Sequence, residues 1–219
     1  MVIRQRAIQA EDKQERYNAI LDAAQQVLAH TADPNMAEVA DVAGLAKGTV
    51  YLYFPSKEEL LLALHERNIE TFFSALSATL EASRAVGIDD ILALTHEHMI
   101  DPPLFLPLAA RCLGNIGRSV PAEAGTAFGQ RLSERLMRAG AGLERHFRDL
   151  PPSGGVALLR HSFALILGLW QLSGAEACAI PAPQRKHAPY NLSYADNLDT
   201  ALRALWQGTV GPQAGARSA

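Results

Sequence analysis

Apolar residues recur along this chain at three- and four-residue spacing, the signature of helices that each bury one face. Tyr17, Ile20, Leu21, Ala24, Val27 and Leu28 line one face of a helix from Asp12 to Ala29, which a capping box of Asp12 and Glu15 would open. Ahead of it, Met1 to Ala10 carries Arg4 and Arg6 but no stripe, and reads as a mobile arm. Val39, Ala40 and Ala43 mark a short second helix that Asn35 can cap, and Gly44 stands where a left-handed residue ends it. Leu45 plugs the corner, and Val50 and Phe54 continue the buried stripe through a third helix. Pro55 stops that helix. Ser56 and Glu59 then form a second capping box, each side chain expected to satisfy a backbone amide.

The fourth helix is predicted to run from Ser56 to about Arg84 on Leu60, Leu61, Leu64, Phe72, Phe73, Leu76 and Leu80. Its length suits it to bridge two domains and transmit displacement between them. Further helices are predicted over Asp89 to Ile100, Leu104 to Ile116 and Pro121 to about Leu150. The last of these has Phe128, Leu132, Leu136, Ala139, Leu143 and Phe147 on one side and a solvated row of arginines on the other, with Glu134 and Glu144 each four residues ahead of an Arg. Val156 to Gly174 is apolar nearly all round and needs partners on more than one side, one of which a dimer interface would supply. Its run from Phe163 to Trp170 is too short to span a membrane and reads as a buried segment. Ala179 to Leu192 reads as a surface loop, Ser193 to Trp206 as the last helix, and Gly208 onward as frayed.

The third helix is where polar chemistry collects. Once Val50 and Phe54 are turned inward, Lys47, Gly48, Thr49, Tyr51, Leu52 and Tyr53 are left facing out. A cation, a hydroxyl, two phenols and an apolar contact suit a DNA major groove, and Gly48 lets the helix start approach closely. Lys57 at the positive end of the fourth helix would attract a phosphate. Ala43-Gly44-Leu45-Ala46-Lys47-Gly48-Thr49-Val50-Tyr51-Leu52-Tyr53-Phe54-Pro55-Ser56-Lys57-Glu58-Glu59-Leu60 resembles the DNA-binding signature of the TetR family of bacterial repressors. The likeness extends back to Ala23-Ala24, and the rest of the chain is similar in helical pattern and length. Ala46 stands where the family usually has Ser, so the recognition helix lacks a side-chain cap; the stretch from His30 to Asn35 is shorter than usual and lacks the expected Gly.

The pattern and the resemblance together imply an all-α protein of about nine helices. The expected organisation is a helix-turn-helix domain over residues 1–56, a ligand-binding and dimerisation domain over 57–210, and a flexible tail over 211–219. The resemblance implies a homodimer, a double-stranded DNA operator and a small-molecule effector that relieves repression. Residues that could line the effector cavity are His96, Met99, Phe105, Cys112, His161 and Trp170. They are mostly apolar, which favours an apolar or aromatic effector.

Charge cuts the other way. The chain carries a net charge of −3. In residues 1–60 the cations Arg4, Arg6, Lys13, Arg16, Lys47 and Lys57 are outnumbered by Glu11, Asp12, Glu15, Asp22, Asp33, Glu38, Asp41, Glu58 and Glu59. Phosphate binding must therefore come from focused placement, with weak non-specific affinity. Cys112 and Cys178 are far apart and fit a reduced cytoplasm, as does the absence of a charged-then-apolar leader at Met1. His96 and His98 diverge at i, i+2 and predict no metal site. With no phosphate loop and no nucleophile in a catalytic context, neither an enzyme nor a cofactor is predicted. A helical enzyme or carrier without a DNA role, or a pure dimerising module, would leave the Lys47-to-Lys57 surface unexplained.

Overall fold

The computed structural model describes residues 2–31, 33–82, 84–115, 118–179 and 194–211. Among them are nine α-helices and no strand. The helices are α1 Val2–Leu28, α2 Met36–Val42, α3 Lys47–Tyr53, α4 Lys57–Glu81, α5 Ile88–Thr95, α6 Phe105–Asn115, α7 Ala122–His146, α8 Gly154–Ala179 and α9 Tyr194–Val210, with a π-helical turn over His96–Ile100. The chain divides into two compact units, Met1–Asn68 with Arg111–Thr126, and Ile69–Ala110 with Ala127–Ala219. Helices α4 and α6 each contribute residues to both.

In the first unit, Ile20, Leu21 and Ala24 of α1, Val39 and Ala40 of α2, Val50 of α3 and Leu60, Leu61 and Leu64 of α4 are buried. Full burial of each large aliphatic side chain contributes about 1.5–3 kcal/mol. The Tyr17 and Phe54 rings meet at 5.0 Å, so the residue closing α3 packs on α1. Arg67 straps α4 to α1 with a fork, Nη1 donating to Asp22 at 2.6 Å and Nη2 to Gln25 at 2.8 Å. Helix α1 starts at Val2, so Val2 to Ala10 is helix and not a separate arm, and Asp12 and Glu15 sit inside the helix instead of capping it. Ile, Arg, Gln and Ala are adequate helix formers, and α1 continues through them without an apolar stripe.

In the second unit, the α7–α8 corner closes on two glycines. A Cβ on Gly155 would lie 2.8 Å from the Cα and carbonyl carbon of Gly140, and one on Gly140 would lie 2.8 Å from the Val156 nitrogen. His146 Nε2 donates to the Leu80 carbonyl of α4 at 2.6 Å, and Glu144 accepts the Gly155 amide at 3.1 Å. Glu144 is thus committed to the start of α8. Helix α9 presents Leu198, Leu202, Trp206 and Val210, all buried at four-residue spacing. Trp206 Nε1 donates to Ser162 Oγ at 3.0 Å, its ring meets Phe147 at 5.8 Å, and Tyr194 donates to the Ile166 carbonyl at 3.0 Å. Gly208 to Val210, expected to fray, belong to α9 because Val210 adds a fourth buried turn. The expected loop from 180 to 192 and the tail from 212 lie outside the described residues.

Helix α8 extends further in both directions than the pattern predicted. Its stretch Gly154–Ser173 has mean hydropathy 1.3, long and apolar enough to cross a membrane, though only 28% of it is buried. One side meets α9 through the Ser162 hydroxyl and the Ile166 carbonyl, and Leu158 and Ile166 are buried. Leu165, Leu167, Leu169 and Trp170 are only half-buried, and Leu172 is 58% exposed.

Candidate nucleic-acid interface

The interface is assembled from local signals, each of which can be traced to one or two residues. Asn35 caps α2, its side-chain oxygen accepting the Ala37 amide at 2.7 Å. Gly44, at φ +65°, closes the helix with both bonds of a Schellman motif: its own N–H donates to the Asp41 carbonyl at 3.2 Å and the Leu45 N–H to Ala40 at 2.9 Å. The left-handed backbone turns the chain sharply into α3. Ala46 offers no side-chain cap, and its carbonyl instead receives the Thr49 amide at 2.8 Å.

Within α3 only Val50 is buried. Phe54 follows it inward, and this anchors the short helix by one face. Lys47, Gly48, Tyr51 and Leu52 are exposed, Leu52 at 85%, and Thr49 and Tyr53 are half-buried. Lys47 Nζ lies 5.8 Å from the Tyr51 ring centre, a cation–π distance that holds the ammonium close to the helix surface. Nothing lies within 4 Å of a Cβ built on Gly48, so the start of α3 is open. The six α3 residues expected at the interface therefore share one helix and its outer faces.

Pro55 separates α3 from α4, and Ser56 Oγ accepts the Glu59 amide at 3.1 Å. The other half of the expected box differs: the Glu59 carboxylate accepts from the Ser56 hydroxyl at 3.0 Å. One hydroxyl thus links both groups, donating to the carboxylate while accepting the amide.

Lys57 follows, half-buried and already engaged. Its Nζ lies 2.7 Å from Asp33 Oδ1 in the α1–α2 connection, and Arg111 Nη2 of α6 lies 2.9 Å from the same oxygen. The Lys57 and Arg111 hydrogen bonds, in that order, hold the Asp33 carboxyl below the usual carboxylate range. Sequence reasoning missed this cluster. Asp33 had entered only as one anion among nine, and Arg111 is 78 residues away along the chain.

The residues expected to line an effector cavity differ in burial. Met99 and Phe105 are buried, Trp170 is half-buried and His161 is exposed. His96 donates through Nε2 to Asp199 at 2.7 Å, tying the π-turn to α9. Cys112 is buried in the first unit, whereas the other five belong to the second. Burial raises its thiol to about 12, so it stays protonated at neutral pH. A cavity of about 290 Å³ opens between α4 and α7, lined by Glu70, Phe73, Ser74, Ser77, Arg135 and Arg138 among others, and by none of the six. Glu70 and Arg135 form an ion pair within it. Its lining is largely polar and charged.

Two family models match successive stretches of the chain. The family model for bacterial regulatory proteins of the tetR family matches residues 20–64, and that for the tetracyclin repressor-like C-terminal domain matches residues 66–212. The fatty acid metabolism regulator protein of Bacillus subtilis (strain 168) is 32% identical over 88 residues, 39% of this chain and 45% of that protein. The match thus spans less than half the length of this curated relative. Among solved structures, SmeT, the repressor of the Stenotrophomonas maltophilia multidrug efflux pump SmeDEF, is similar at 22% identity and TM-score 0.53, with 92% of this chain and 96% of that one covered. A structure described as the transcriptional regulator SCO7518 from Streptomyces coelicolor A3(2) is similar at 22% identity and TM-score 0.50, covering 87% and 98%. At these identities the two structures speak for the fold.

Proposed function

The chain belongs to the TetR family of bacterial regulatory proteins, and we propose that it is a cytoplasmic transcriptional repressor released from a pseudo-palindromic DNA operator by a small molecule. The observation that carries this reading is α3 itself. It buries Val50, with Phe54 following, and turns Lys47, Thr49, Tyr51 and Leu52 outward, with Leu52 more exposed than any core function would require. These four residues meet base edges, while Tyr53 and Lys57 meet phosphates. The names of the Bacillus relative, a regulator, and of SmeT, a repressor, support the same role.

With so few cations, a single copy binds weakly, and affinity depends on two copies engaging at once. The half-buried apolar residues of α8, with Leu172 at its outer edge, supply a self-complementary face for a homodimer. Two α3 helices then read successive major grooves about 34–36 Å apart. A small apolar or aromatic effector that binds better when the copies are wrongly spaced must weaken DNA binding by the same coupling free energy.

Selection of bound duplexes from a random-sequence pool, followed by gel shifts at low and moderate salt, tests the reading. The expected result is an enriched two-fold-related sequence. Lys57→Ala weakens binding to every sequence alike, and Lys47→Ala changes which sequence is preferred. No enrichment, together with no binding even at low salt, would favour a helical carrier or enzyme.

A further inference from the structure

Lys57 is expected to hold a DNA phosphate, yet here its ammonium is held by a carboxylate. We propose that Asp33 is an intramolecular competitor for that phosphate, and that Arg111, bonded to the same Asp33 oxygen, is the positioning residue that sets how readily Lys57 is released. The inference rests on the assignment of Lys57 to the DNA-facing surface.

The geometry gives the two cations different parts. Lys57 at 2.7 Å and Arg111 at 2.9 Å share Oδ1 of one carboxylate, so a single anion bridges the two cations. An ammonium on a flexible stem can swing to a new partner, whereas a guanidinium keeps a planar fork on its carboxylate. The Asp33 side chain is 71% exposed and that of Lys57 28%, and ion pairs this wet are weak enough to exchange. When a phosphate approaches, Lys57 transfers to it and Asp33 remains compensated by Arg111. Without Arg111, the transfer would leave Asp33 as an unneutralised anion close to the incoming phosphate. Asp33 is ionised throughout the neutral range, since both cations depress its carboxyl, so the competition is present wherever DNA binding is measured.

The test uses the full chain, a random-sequence DNA duplex and fluorescence anisotropy at fixed low salt. Asp33→Asn is expected to tighten binding by about two- to fivefold, the range spanned by exposed ion pairs. Arg111→Gln is expected to weaken it by a similar factor. The decisive measurements are the double variants. Arg111→Gln should have no effect in the Asp33→Asn background, and Asp33→Asn no effect in the Lys57→Ala background. If Asp33 and Arg111 merely hold the fold, both single variants weaken binding. If Arg111 is merely one more positive charge near DNA, its effect persists in the Asp33→Asn background. Either outcome overturns the proposal. Asp33→Ser, read in the same way, replaces Asp33→Asn should the amide disturb the connection. If Lys57→Ala binds as well as the unaltered chain, the DNA-face assignment itself fails and the competitor role fails with it. If Lys57→Ala weakens binding but Asp33→Asn does not tighten it, only the competitor role fails.

Discussion

Replacing Gly155 with Ala adds a single methyl group at a corner where it cannot be absorbed. Its Cβ would lie 2.8 Å from two backbone atoms of Gly140, and closer still to the carbonyl oxygen. Side chains can rotate away from such a clash, but here α7 as a whole would have to move from α8. Overpacking typically costs about 1–3 kcal/mol, and a backbone obstacle puts this case at the upper end, about 3 kcal/mol. Gly155 is the second residue of α8, where Ala gains little helix propensity to compensate. At about 2–4 °C per kcal/mol for a chain of this size, the midpoint should fall by roughly 6–12 °C. Gly129→Ala is the control: it lies inside α7, is exposed, and nothing lies within 4 Å of a Cβ there. It should stabilise by about 0.5–1 kcal/mol. Far-UV circular dichroism during urea and thermal unfolding, at one protein concentration because dimerisation adds stability, reads both variants. If Gly155→Ala unfolds within about 0.5 kcal/mol of the unaltered chain, the close approach of α7 and α8 is refuted.

Acid should destabilise the first unit through His65, which is 1% exposed on α4 and pushed down from 6.5 to about 4 by burial, with Glu66 opposing the shift. The folded state keeps the imidazole neutral, so between pH 6.5 and 4 the unfolded chain binds the extra proton; stability is lost as pH falls across that window, by up to about 3 kcal/mol. His65→Gln should flatten this part of a urea-midpoint-against-pH curve, and an unchanged slope would exclude His65 as its source. Leu172→Glu places a charge at the outer edge of the apolar α8 face, and sedimentation should show it shifting a dimer towards monomer. Retention of the same mass at micromolar concentration would move the interface elsewhere.

What could be read in advance was what depends on near neighbours in sequence. Asn35 as a cap, Gly44 as a left-handed stop and Val50 with Phe54 as the anchor of α3 each involve residues within about a helical turn. The failures have equally specific causes. Val2 to Ala10 lack an apolar stripe, and helix propensity alone suffices to continue α1 through them. Val210, four residues after Trp206, continues the buried stripe of α9 past Gly208, where fraying is expected. The pairs Asp33 with Arg111 and His96 with Asp199 join positions 78 and 103 residues apart, and no local periodicity encodes which distant charge a carboxylate meets. Unit membership is set by tertiary packing, so no local pattern separates Cys112 from Phe105, only seven positions earlier on the same α6.

The π-turn at His96–Ile100 carries a consequence for insertions and deletions. Its closing bond, from the Asp101 N–H to the His96 carbonyl at 2.9 Å, spans five residues where an α-turn spans four. The helix thus holds one residue of slack between Thr95 and Asp101. Removing exposed Glu97 would let the turn close with α-helical bonding, with the anchors before and after it keeping their phase. The same deletion inside α4, where Leu60, Leu64, Phe72 and Leu76 must all face one way, would rotate everything beyond it by about 100°. Length variation in this chain is therefore tolerable at the π-turn and ruinous one helix earlier.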